Sequence, residues 1–114
     1  MKMTIEQLDD ALTRIQLDGR LDLEGTQAID QRFAYATSTQ PLRVAVDLSS
    51  VTFVASIGLR TLLTAARAQA TRGGKMVLFG PNAMVRNVLE TAGIDTILPI
   101  FNDWESARAG LHAG

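Results

Sequence analysis

The chain has 114 residues, 46% hydrophobic and 20% charged, which suits one soluble globular domain with a single core. Its 11 basic and 12 acidic side chains leave a net charge of −1, and no basic run gathers the positive surface that nucleic-acid binding requires. There is no cysteine, which excludes disulfides and zinc-thiolate sites; acidic Glu6 precedes any apolar signal segment, and no stretch approaches the roughly 18 apolar residues of a membrane span.

Taken in chain order, short apolar runs alternate with longer amphipathic ones. Met1 to Ala11 is ambiguous, with Ile5 and Leu8 compatible with an edge strand. Leu12 to Leu17 reads as a strand, punctuated by Gly19 and Asp22. Ile29, Phe33 and Ala36 recur at helical spacing, so Leu23 to Ser38 is predicted as a helix capped by Asp22. Val44-Ala45-Val46 marks a strand buried on both faces from Leu42 to Leu48, followed by a turn at Ser49-Ser50 and a second patch from Val51 to Val54. Ile57 to Thr71 is the strongest predicted helix, with a stripe of Leu59, Leu62, Leu63, Ala66 and Ala70, and Gly73-Gly74 ends it. Lys75 to Gly80 is a further buried strand. Pro81 and Asn82 open a third helix with Val85, Val88, Leu89 and Ala92 on one face, stopped by Gly93. Thr96 to Ile100 is predicted as a short strand. Asn102 or Asp103 then caps a last helix whose apolar face is Trp104, Ala107 and Leu111. The alternation implies a single α/β domain over residues 1–114, with a mostly parallel sheet of about four to five strands and about four helices.

The chemically informative segment runs from Asp47 through Leu59. Ser56 stands just before the strongest helix, where its hydroxyl is expected to cap free N–H groups and where helix dipole and amides favour an anion. The alternative chemistries are poorly supplied. Val54-Ala55-Ser56-Ile57-Gly58 lacks the first glycine of a nucleophile elbow, and the single histidine, His112, stands near the end of the chain. Gly73-Gly74-Lys75 leaves a helix instead of entering one, unlike a phosphate loop. No enzymatic activity, metal or cofactor is expected.

Asp47-Leu48-Ser49, Val51, Phe53, Val54, Ser56, Gly58 and Leu59 stand in the order and spacing of the D-L-S-x-V-x-F-φ-D-S-S/T-G-L pattern of the STAS family, φ being apolar. Gly19-Arg20-Leu21-Asp22, Gly73-Gly74, Gly80, Gly93-Ile94-Asp95 and Ile100-Phe101 are also similar to family features. The chain thus resembles a STAS domain of the anti-sigma-factor antagonist type. That resemblance implies a STAS-like sandwich and a cytoplasmic protein-binding regulator. Its partner would be an anti-sigma factor that is also a serine kinase, with Ser56 as phosphoacceptor and a serine phosphatase reversing the mark. The implied docking surface comprises Asp22, Ser49, Ala55, Ser56, Ile57, Gly58, Leu59 and Arg60. Two positions depart from the pattern: Ala55 replaces the acidic residue before the serine, and Ile57 the following Ser/Thr. These favour a second reading, a non-phosphorylated STAS adaptor of a lipid-transport or stress-signalling complex. A small nucleotide-binding α/β domain is the third.

Overall fold

The computed structural model describes residues 1–9, 11–38 and 40–112. Five strands, β1 (Lys2–Gln7), β2 (Leu12–Leu21), β3 (Arg43–Val54), β4 (Lys75–Phe79) and β5 (Ile100–Phe101), form one sheet in the order β1-β2-β3-β4-β5. β1 is antiparallel to β2, and every later pairing is parallel. The helices are α1 (Leu23–Ser38), α2 (Ser56–Thr71), α3 (Ala83–Thr91) and α4 (Trp104–His112).

Among the described residues the strand order never reverses. Right-handed crossovers that always step in the same direction leave their helices on the same face. The apolar sides of α1, α2 and α3 accordingly share one core with Ile15, Leu17, Val44, Val46, Leu48, Met76 and Leu78. Among the described residues only α4, which follows the last strand, packs on the other face, where Ala107 and Leu111 meet Leu12, Ala45, Val77 and Phe79. A sheet built this way has no switch point of the kind where doubly wound sheets open a ligand crevice. No helix among the described residues is long and apolar enough to cross a membrane.

The local signals work as read at most helix ends. The Asp22 carboxylate accepts from the Gly25 amide at 2.8 Å, Asn82 Oδ1 from Val85 at 2.8 Å, and Asp103 Oδ1 from Ser106 at 2.8 Å. Gly73, at φ +87°, lets α2 close with paired bonds, Gly74 N–H to the Gln69 carbonyl at 2.7 Å and Gly73 N–H to Ala70 at 3.3 Å.

Several expectations are corrected. No turn occurs at Ser49-Ser50: β3 is continuous, and its twelve residues face ten of β2 through two irregularities, between Gln16 and Asp18 and between Gly19 and Arg20. Each adds one residue to β3, so Ser49 lies in a bulge. Its amide bonds to Asp47 Oδ1 at 2.9 Å and its hydroxyl to the same oxygen at 2.7 Å, which meets the bonding needs that a turn would otherwise serve. β2 likewise runs through Gly19 to Leu21. The Thr96–Ile100 strand is instead a 3-10 turn over Ile94–Thr96, with strand only at Ile100–Phe101. Gly93 at φ +74° turns the chain, and the Leu98 amide bonds back to Ile94 at 2.8 Å, burying both side chains by helical rather than strand spacing. In α2 the buried stripe is Gly58, Leu62, Ala65 and Gln69; Ala66 is half-buried and Ala70 exposed. In β1 the residue driven into the core is Met3, while Ile5 stays exposed.

Candidate functional site

The C-terminal ends of β2 and β3 and the N-terminal ends of α1 and α2 converge at one corner of the sheet. Leu21 pairs with Val54 in register, and the Ala55 amide continues the ladder to the Leu21 carbonyl at 2.9 Å. Both helix starts rest on β2. A Cβ at Gly25 would lie 1.9 Å from the Arg20 carbonyl oxygen, and one at Gly58 would lie 2.9 Å from Leu21 Cβ. Glycine at 25 and 58 is therefore a packing requirement, since each helix starts where only a hydrogen fits. Asp22, Ala55, Ser56, Gly58 and the first turn of α2 are brought together by these contacts.

The start of α2 differs from the expectation for Ser56. Ala55, extended at φ −96° and ψ 171°, occupies the N-cap position, and Ser56 is the first helical residue. A methyl group accepts no hydrogen bond, so no side chain caps this helix, and no acidic residue stands in its first turn. Ser56 is exposed. The result is a solvent-facing hydroxyl beside uncapped amides at the positive end of a 16-residue dipole. Substituting Ala55→Asp is expected to supply the missing acceptor and raise stability by about 1 kcal/mol. Urea denaturation at neutral pH checks this; an unchanged midpoint would mean that water already serves those amides fully.

Asp22 serves two neighbours. Its carboxyl is held below the ordinary aspartate value of 3.8, first by the Gly25 amide and then by Arg20. Arg20 Nε lies 3.3 Å from Asp22 Oδ2, and its guanidinium stacks 4.3 Å from the centre of the Phe53 ring. Nothing local in the sequence brings Arg20 and Phe53 together. They are opposite one another in the ladder only because the second irregularity shifts β3 by one residue. The one signal available is compositional, an arginine and an aromatic at the ends of neighbouring strands.

The remaining expected residues divide by exposure. Arg60, one turn after Ser56, is exposed, and Ile57 is half-buried. Both line a shallow groove of about 300 Å³ between α1 and α2, with Asp30 and Thr61 beside them. Gly58 is buried, and Leu59 packs against the core. Ser49 is not part of this corner. It alternates with Ala45 and Asp47 toward the α4 face and sits beside Gly80 at the end of β4. Asp47, 4% exposed, bonds Ser49 and lies 3.4 Å from Arg14, whose guanidinium stacks over Trp104 at 4.8 Å and Phe79 at 5.4 Å. The Asp-Leu-Ser stretch thus completes a bulge and anchors the aromatic pair under α4, which is a structural role.

Comparison with known proteins agrees with this architecture. The chain is 29% identical over 111 residues to BtrV of Bordetella bronchiseptica, which bears the name of an anti-sigma factor antagonist, covering 97% of this chain and 95% of BtrV. It is 26% identical over 103 residues to RsfB of Mycobacterium tuberculosis, an anti-sigma-F factor antagonist, covering 88% of this chain and 81% of RsfB. Among solved structures, the anti-sigma factor antagonist SpoIIAA in its unphosphorylated form superposes with a TM-score of 0.81 at 19% identity, covering 99% of this chain and 98% of SpoIIAA. That likeness concerns the fold. A family model described as the Mlab STAS domain matches residues 5–99, most of the chain and all five elements from β2 to β4, so this protein belongs to the STAS domain family.

Proposed function

We propose that the chain is an anti-sigma-factor antagonist of the cytoplasm, a binding regulator that captures an anti-sigma factor of the serine-kinase type through the corner formed by Asp22, Ala55, Ser56, Ile57 and Arg60. The observation that carries this reading is the exposed Ser56 hydroxyl at the uncapped start of α2. The names of BtrV and RsfB support it, as does the existence of SpoIIAA in a phosphorylated form.

In the proposed switch the Ser56 hydroxyl oxygen attacks the γ-phosphorus of ATP held by the kinase, ADP leaves, and the hydroxyl proton passes to a base of the kinase. The new group carries about −1.5 to −2 charges and three strong acceptors. Placed beside uncapped amides, it acts as the cap that Ala55 lacks, so the fold tolerates it. Arg60 adds a cation one helical turn away. A docked partner, by contrast, would have to bury that charge, which weakens binding. A serine phosphatase resets the surface.

A second reading, a STAS adaptor that is never phosphorylated, is favoured by Ala55 and Ile57 in place of the acidic and hydroxyl residues of the pattern. The two part in one experiment. Purified wild type and Ser56→Ala are incubated with the kinase-type anti-sigma factor of the same cells and Mg-ATP, and intact masses and binding isotherms are recorded. The switch predicts gain of one phosphoryl group by wild type alone, and at least about a tenfold weaker Kd for the phosphorylated form. Tight binding with no mass change supports the adaptor; neither binding nor labelling overturns both.

A further inference from the structure

The two edges of the sheet are built differently. β5 is two residues long and has α4 beside it, a guarded edge. β1 is six residues long, pairs with β2 without any register break, and leaves its outer side unpaired among the described residues. Long, regular free edges are templates for another strand.

We propose that β1 pairs antiparallel with β1 of a second copy of this chain, about a two-fold axis through Thr4, to join two five-stranded sheets edge to edge. The strand is self-complementary. With Thr4 on the axis, Lys2 of each copy stands opposite Glu6 of the other, and Met3 stands opposite Ile5. The intrachain register extends the match, because Lys2 is already opposite Asp18 and Glu6 opposite Arg14. Across four strands one row then reads Asp18, Lys2, Glu6, Arg14, with the last two residues from the second copy, so charge alternates at every step. The middle row is Gln16, Thr4, Thr4, Gln16. On the opposite face the rows are Leu17, Met3, Ile5, Ile15, all apolar. A shift by one residue sets apolar residues against polar ones throughout, since strand periodicity is two. A shift by two brings Thr4 against Glu6 and loses both charge pairs. Opposite charges directly across a ladder stabilise it and like charges oppose it.

The helix-side flank of the edge fits the same occupant. Ile5 is 41% exposed and, with Tyr35, Ala36, Arg32 and Gln31 of α1, lines an open hollow of about 490 Å³. In an isologous dimer the exposed Ile5 at this flank gains an apolar neighbour, Met3 of the second copy. Ser56, at the end of β3, lies two strands from this edge and Asp22, at the end of β2, one strand from it; neither is on β1, so each copy keeps its docking surface.

Two measurements on the full chain decide the matter. Sedimentation equilibrium of wild type up to about 0.5 mM is expected to show mass rising from 12.3 kDa toward twice that value, while Glu6→Lys, which sets lysine against lysine twice, weakens association at least about tenfold. The second uses the absence of native cysteine. Thr4→Cys places its thiols on the axis, about 5 Å apart at Cα, within disulfide reach, whereas Gln16→Cys leaves them three strand spacings apart, about 14 Å. Mild oxidation is expected to cross-link the first variant and not the second. Wild type remaining at 12.3 kDa throughout, or equal cross-linking of the two cysteine variants, overturns the proposal.

Discussion

Replacing Gln69 by leucine is expected to lower stability by about 4 kcal/mol. Gln69 is 0% exposed and lies in the core-facing stripe of α2. Its Oε1 accepts from the Leu42 amide at 2.7 Å, and its Nε2 donates to the carbonyls of Thr37 and, at 3.1 Å, of Gln40. One amide thus serves three backbone groups of the segment that leaves α1 and enters β3. The leucine side chain is no smaller, so no cavity opens and the lost bonds dominate the loss. Each buried backbone group left without a partner costs about 1–3 kcal/mol, and the part of the segment at Gln40 is exposed enough for water to serve it. At about 4 °C per kcal/mol the melting midpoint falls by roughly 15 °C. Urea and thermal denaturation followed by circular dichroism measure it. A loss below about 1 kcal/mol, the net worth of one ordinary bond, would show that this segment hydrates readily and that Gln69 is not its tie.

The second large effect is expected at Gly25. Alanine there puts a Cβ 1.9 Å from the Arg20 carbonyl oxygen and 3.1 Å from Asp22 Oδ1. The obstacle is backbone in a sheet strand, so rotamer changes give no relief. The start of α1 must move off β2, at a cost of about 3 kcal/mol. The displacement also breaks the Asp22 cap and the Arg20 contact to it, which lie at the proposed docking corner. Gly73→Ala is the control. Nothing lies within 4 Å of its added Cβ, and only the φ of +87° opposes the change, which sets its cost at about 1 kcal/mol. Equal losses at the two positions would sink the steric argument for Gly25, because the conformational penalty applies to Gly73 alone.

The features legible from the residues alone are those that neighbours in the chain set. The periods of 3.6 and two, the side-chain caps at Asp22, Asn82 and Asp103 and the glycine stop at Gly73-Gly74 act over a few residues. All are therefore readable without knowing what lies across the sheet. The consecutive apolar runs in β3 and β4 reveal a sheet covered on both faces for the same reason. The pattern around Ser56 also locates the helix start to within one residue.

The features that escape such a reading depend on partners far along the chain. Ser49-Ser50 has the composition of a turn, but pairing with β2 holds β3 extended, and the mismatch of two residues becomes bulges. Those bulges set Arg20 over Phe53 and return Val51 and Val54 to the core face. Ala55 rather than Ser56 occupies the cap because the ladder bond to Leu21 holds Ala55 in the extended region. Gln69 reads as less buried than apolar Ala66 and Ala70, since polarity predicts exposure unless unpaired backbone waits across the core. In each case a contact between residues 27 or more positions apart overrides a correct local preference, because burial and backbone bonding, unlike propensity, are properties of the assembled fold.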